Sequence, residues 1–214
     1  MRITTERLTY WYFRLNGFLG NDNYIIHRRL RDSNHATEID YLGVRFVHRK
    51  ELYNTDLNEW MKDDSNSELF KYYQKDKIFI CLVESKRGQP LINQSWTNNP
   101  ENLIRILQTL GIISFKHHPK VVKRLKEHGY CTINRFYITF IAVGSTTERS
   151  YIPFENIPII SWNEVLSFIY ERFRDNRKVK AHLQEWEGFN EINELVDLIN
   201  SNSKEEFIDK IVID

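Results

Sequence analysis

Along the first stretch of the chain, apolar residues recur at helical spacing. In "TTERLTYWYFRLNG", Leu8, Trp11, Tyr12 and Leu15 fall at i, i+3, i+4 and i+7, Thr4 or Thr5 supplies a cap, and Asn16-Gly17 supplies a stop. The aromatic stripe reads as core packing. The period then changes. "NYIIHRRL" and "ATEIDYLGVRFV" read as strands, separated by the turn-like "RDSNHA" and therefore predicted to pair antiparallel. Residues 47–77 mix both charge signs with a few aromatics, as expected of a charged insertion between core strands, helical or on the surface. Ile78 to Lys86 is the strongest strand signal in the chain. "NNPENLIRILQTLGI" has a helical pattern, with Asn99 as cap, Pro100 at the first position and Gly111 at the end. "HPKVVKRLKEHG" reads as a basic helix closed by Gly129, and "INRFYITFIAVG" as one further strand.

After Gly144, "IPFENIPII" is a Pro-punctuated connector. "SWNEVLSFIYERFRD" carries Ser161 and Glu164 at capping-box spacing, and "KVKAHLQEW", "FNEINELVDLIN" and "KEEFIDKIV" read as shorter helices. The order is helix, three strands, helices, strand, helical tail. It predicts an α/β fold with a mixed central sheet flanked by helices, a core over residues 1–145 and an α-helical C-terminal extension over 146–214. No internal repeat or low-complexity segment interrupts it.

Parity along the Ile78–Lys86 strand sharpens the picture. Ile80, Leu82, Glu84 and Lys86 share one side; Phe79, Cys81 and Val83 share the other. A strand apolar on both faces belongs at the centre of a sheet, where a carboxylate and an ammonium are costly unless paired or bound to a metal. A plain ion pair at the strand mouth meets that requirement. In "ATEIDYLGVRF", alternation places Glu38 and Asp40 on one face with Leu42 and Val44, and Ile39 and Tyr41 on the other. If the two strands are neighbours, Asp40 and Glu84 converge with Lys86 beside them. Two carboxylates can hold Mg²⁺, which prefers oxygen ligands at roughly 2.0–2.1 Å and keeps several waters. Such an ion polarises a phosphoryl oxygen and acidifies bound water.

Asp40, followed after a long gap by Glu84-Ser85-Lys86 on this element order, resembles the PD-(D/E)XK nuclease superfamily over roughly Thr4 to Val143; "TEIDYLGVRF" is similar to the second core strand of its resolvase-like and restriction-like branches. The resemblance implies a restriction-endonuclease-like core and a Mg²⁺- or Mn²⁺-dependent endonuclease acting on DNA, with RNA as the other candidate polymer, in defence against foreign DNA or in repair. It implies Asp40 and Glu84 as metal-binding acids and Lys86 as the catalytic lysine. Homodimers and larger complexes occur among members. Ile39 stands where the family name has proline. Glu6 is a candidate for the extra acid on the first helix, at its start. Glu38 either adds to the metal site or pairs with Arg28 or Arg45. Gln89 and Gln94 lie downstream of Lys86, where some branches place a glutamine near the site.

Net charge is +1, yet from Leu183 to Asp214 nine acidic residues face two lysines, so a −7 tail accompanies a body of about +8. Basic clusters carrying Arg28, Arg29 and Arg31, then Lys120, Lys123 and Arg124, and a third over Arg172 to Lys180, are either solvated faces or phosphate contacts. His117-His118 reads as a polar helix start. Cys81 and Cys131, one in each of two strand-like runs, suit buried reduced thiols. No apolar run reaches the roughly 20 residues of a membrane span, and the N-terminus lacks a signal-peptide pattern, so a cytoplasmic protein without a membrane partner is expected. There is no Walker-type glycine loop, GxSxG or paired CxxC. The alternatives are a non-catalytic module of the same fold, binding nucleic acid or protein, and a scaffold in which Glu84 and Lys86 form a structural ion pair.

Overall fold

The computed structural model describes residues 1–27, 35–49, 52–54, 59–60, 68–175 and 190–214. The elements are β1 (Arg2–Ile3), α1 (Thr5–Leu15), β2 (Leu19–His27), β3 (His35–Arg45), β4 (Leu52–Asn54), β5 (Glu59–Trp60), α2 (Glu68–Lys71), β6 (Ile78–Ser85), α3 (Gln94–Asn98), α4 (Pro100–Leu110), α5 (His118–His128), β7 (Tyr130–Ile133), β8 (Phe136–Gly144), β9 (Ile159–Ser161), α6 (Trp162–Asp175), α7 (Asn190–Ser201), α8 (Lys204–Lys210) and β10 (Val212–Ile213). The fold is α/β, with a mixed central sheet in the order β2-β3-β6-β8-β7 and β9 added beside β8. Strands β2, β3 and β6 pair antiparallel in sequence order, whereas β8 runs parallel to β6.

Both faces of β6 are covered, as its apolar run requires. Phe79, Cys81 and Val83 pack with α1, α6, α7 and Phe207 of α8. Ile80 and Leu82 pack on the other side with Trp96 and the apolar faces of α4 and α5. Leu8, Trp11, Tyr12 and Leu15 are all buried, and Thr4 caps α1 by accepting the Arg7 N–H. Helix α4 begins on Asn99 and Pro100 and ends at Gly111 with φ +63°, a left-handed conformation suited to glycine.

Several expectations need correction. "INRFYITFIAVG" with the residues before it forms a hairpin, β7 and β8, turning at Asn134 with φ +52°. The C-terminal extension is not purely helical: β9 joins the central sheet and β10 pairs with β1, while α6 to α8 cover the same face as α1. Strands of two or three residues are too short to show a period and exist only through their partners. Much of the charged insertion lies outside the described residues, as does "KVKAHLQEW".

Candidate functional site

The site forms where two central strands part. Pairing between β3 and β6 runs from Arg45↔Phe79 to Tyr41↔Val83 and stops there, one step before Asp40 and Glu84 would face each other. The Lys86 N–H donates to Val143 O on β8 at 2.9 Å, so the alternation of the strand turns the Ser85 N–H toward β3. There it donates to Asp40 Oδ2 at 2.7 Å, with the Ser85 hydroxyl adding a bond of 3.2 Å to the same oxygen. A side-chain carboxylate has replaced the backbone carbonyl that would continue the ladder.

This placement depends on a rotation that simple alternation misses. Asp22 and Tyr41 are paired across β2 and β3, and both face α1: Asp22 bonds Arg7, and Tyr41 stacks on Phe13. Two residues on, the pair Tyr24 and Ile39 packs instead with Ile80 and Trp96, on the opposite face. Same-parity residues have changed sides, and the change falls at Asn23, whose φ is +50°, opposite Asp40. Leu42 and Tyr41 lie as expected, but Ile39 does not, and Asp40 is the residue at which the strand turns over.

Lys86 draws the acids together. Its ammonium lies 2.7 Å from Glu84 Oε1 and 3.5 Å from Asp40 Oδ2. Both acids are 4% exposed, whereas the lysine side chain is 40% exposed. Glu84 Oε2 is buried without a hydrogen-bond partner among the described residues. Burial and the nearby Asp40 charge push the Glu84 carboxyl up to about 7, against the pull of Lys86. The Asn93 amide stands near enough to oppose that rise, though its own bond at 3.5 Å goes to Glu38 O and leaves Oε2 unpartnered. Burial also raises Asp40; Ser85 and Lys86 oppose it, and Glu6 in the first turn of α1 adds to the rise. For Lys86, burial pulls downward but the Glu84 contact and the Asp40 charge outweigh it, so the ammonium stands above the ordinary lysine value.

Compared with protein-family models, with curated proteins and with solved structures, the chain matches none.

The remaining candidates scatter. Glu6 lies close enough to act on Asp40 electrostatically. Glu38 is exposed, and its backbone oxygen receives the Trp96 indole N–H at 3.2 Å. Arg45 is engaged at the far end of β3, with Nε donating to Asn16 O at 3.0 Å and its guanidinium over Phe70 and Tyr73. Gln89 bonds Thr146, and exposed Gln94 lines a neighbouring groove. Lys120, Lys123 and Arg124 are exposed on α5, which packs on β7, two strands away from β6. Arg28, Arg29 and Arg31 lie outside the described residues. His118 is buried with Nε2 3.0 Å from Ile113 O, a structural contact at the start of α5. Cys81 is fully buried and its thiol is pushed far above the ordinary range by burial.

Sequence reasoning missed three supporting residues. Ser85 holds Asp40, Asn93 stands by Glu84, and the Trp162 indole donates to Lys86 O at 3.0 Å, fixing the lysine backbone from outside the strand. Only Asn93 had a local signal, as an N-cap residue before a short helix. No group of three or more His, Cys, Asp or Glu that could hold a metal occurs among the described residues. The oxygen donors gathered at Lys86 are the two carboxylates of Asp40 and Glu84.

Proposed function

We propose that the protein is a divalent-metal-dependent phosphodiester hydrolase, endonuclease-like, acting on DNA or, alternatively, RNA, with a restriction-endonuclease-like core. The single observation that carries this reading is the convergence of two buried carboxylates on one partly exposed lysine, at the point where adjacent central strands separate. The order helix, three antiparallel strands, helices and a strand parallel to the third supports the same reading.

The residues fit Mg²⁺ or Mn²⁺. Glu84 Oε2 is a buried oxygen without a hydrogen-bond partner among the described residues, Asp40 supplies a second hard donor, and both carboxyls are raised in pKa, as expected where negative charge awaits a cation. Asp40 and Glu84 would hold the ion, which when bound would polarise a phosphoryl oxygen and acidify a coordinated water. Ser85 keeps Asp40 oriented through its N–H. Lys86 remains an ammonium at neutral pH, and from its 40% exposed position it would orient the attacking water or neutralise charge growing on the scissile phosphate. Arg87, next in the chain and exposed, would offer a cation to the adjoining phosphate.

The test is incubation of purified protein with plasmid and single-stranded DNA plus Mn²⁺, beside Lys86→Ala and Asp40→Asn. Cleavage by the wild type, lost in both folded variants, supports the reading. Tight binding without cleavage points instead to a non-catalytic module. If nothing is cut or bound and Lys86→Ala only melts earlier, the site is a structural ion pair.

A further inference from the structure

At the same end of the sheet as the carboxylates lies a groove of about 730 Å³ between α3 and the loop after β8, with walls that include Leu91, Gln94, Thr97, Asn98, Tyr151 and Pro153. We infer that this groove seats an unpaired base of the strand being cut, stacked on Tyr151 and hydrogen-bonded by the amides of Gln94 and Asn98. The inference rests on the hydrolase reading of the site and names its substrate class, a locally single-stranded nucleic acid.

Both walls are built rigidly. Helix α3 is anchored to β3 through its inner side chains, Trp96 donating to Glu38 O at 3.2 Å and Ser95 bonding Thr37. Gln94, Thr97 and Asn98, at i, i+3 and i+4, consequently share the side that lines the groove. Opposite, the Arg149 guanidinium donates to Phe154 O and Ile157 O at 2.9 Å each, while Ile152 and Phe154 are buried and the Ile152 N–H returns to Arg149 O. Tyr151 sits on this pinned turn with 68% of its surface exposed. A flat ring held open to solvent suits base stacking, which every nucleobase can satisfy. Primary amides carry both donors and acceptors, the complement of an unpaired base edge.

Position ties the groove to the chemistry. Asn93, which stands by Glu84, immediately precedes Gln94 at the start of α3. The other wall follows from β8, whose end meets the turn after Lys86: Ser145 N–H donates to Gly88 O at 2.7 Å. A phosphate at Lys86 would thus have its flanking base at the groove mouth. In a continuous duplex that base is stacked and its edge is paired, so it reaches the groove only when unpaired or flipped out.

The test is fluorescence anisotropy with labelled oligothymidylate and a labelled duplex of equal length, in EDTA so that nothing is cut. Tyr151→Ala should weaken oligothymidylate binding about 5- to 150-fold, the effect of losing one base stack. Tyr151→Phe should bind as wild type does, and duplex affinity should not change. Absence of oligothymidylate binding by wild type, unchanged affinity in Tyr151→Ala, or an equal loss on duplex would each overturn the inference. The ring is exposed, so an unaltered melting curve is expected to accompany the loss. Because binding is read without metal, Tyr151-dependent binding with no cleavage in Mn²⁺ sinks the hydrolase reading alone. Cleavage that ignores Tyr151 on single and double strands alike sinks the groove alone.

Discussion

Replacing Lys86 with alanine leaves two buried carboxylates facing each other without their cation. At an effective dielectric near 20, contacts of 2.7 and 3.5 Å are each worth about 4–6 kcal/mol before desolvation is counted. Solvent screens the 40% exposed lysine side chain, and the stranded carboxyls can take up a proton, so the net loss comes to about 1–3 kcal/mol. In a chain of this length that lowers Tm by roughly 2–12 °C. The loss must depend on pH. Glu84 already stands near 7 in the folded protein against 4.5 when free, so its ionised form opposes folding. A raised carboxyl imposes no penalty below its unfolded value, an increasing one between the two values, and the full one above the folded value. Without Lys86 the folded value climbs further, and Asp40, raised by burial, shifts in the same direction. Glu84 is neutral in both folded proteins until pH passes the wild-type value near 7, so thermal melts should nearly coincide at about pH 4 and part most clearly above about pH 7. A Tm difference independent of pH would refute the reasoning, since it would place the defect in lost packing rather than in the carboxylates.

Glu84→Gln removes the ionisation that opposes folding and should raise Tm at about pH 8, where the wild-type penalty, on the order of 3 kcal/mol, is fullest, while abolishing cleavage; a lower Tm there would mean that the charge is stabilising. Ser85→Ala keeps the 2.7 Å backbone bond to Asp40 and loses only the hydroxyl, so stability should fall by about 1 kcal/mol or less and cleavage should persist, as denaturant melts and plasmid nicking will show. At Gly144 an added Cβ would lie 2.6 Å from Pro90 N and 2.8 Å from Gly88 O, so Gly144→Ala should cost about 1–3 kcal/mol and displace the turn after Lys86. Faster proteolysis at residues 88–90 would register that displacement.

How far the site could be read from the sequence differs between its two strands. On β6 the alternation of Ile80, Leu82 and Glu84 against Phe79, Cys81 and Val83 survives intact, because a separate apolar cluster holds the side chains of each face in place. On β3 the same rule fails at Ile39. The cause lies on another strand, in the left-handed Asn23, and an asparagine in that conformation has no signature in a one-dimensional pattern. Asp40 therefore meets Lys86 by a route that alternation does not predict: it leaves the ladder and accepts the Ser85 N–H. The β7–β8 hairpin was hidden because Asn134-Arg135 lacks the Asn-Gly pair that marks a tight turn. Trp162 reaches the site through tertiary packing across 76 residues, which no local spacing records, and the local signal at Asn93 marks a helix cap and not its place by Glu84.

Titration of Mn²⁺ into the apo protein, with free ion followed by electron paramagnetic resonance, tests the central claim most directly. Wild type should take up one Mn²⁺, and Asp40→Asn and Glu84→Gln should each lose it while Ser85→Ala keeps it. Uptake that survives both carboxylate substitutions, or wild type that takes up none, would contradict the account.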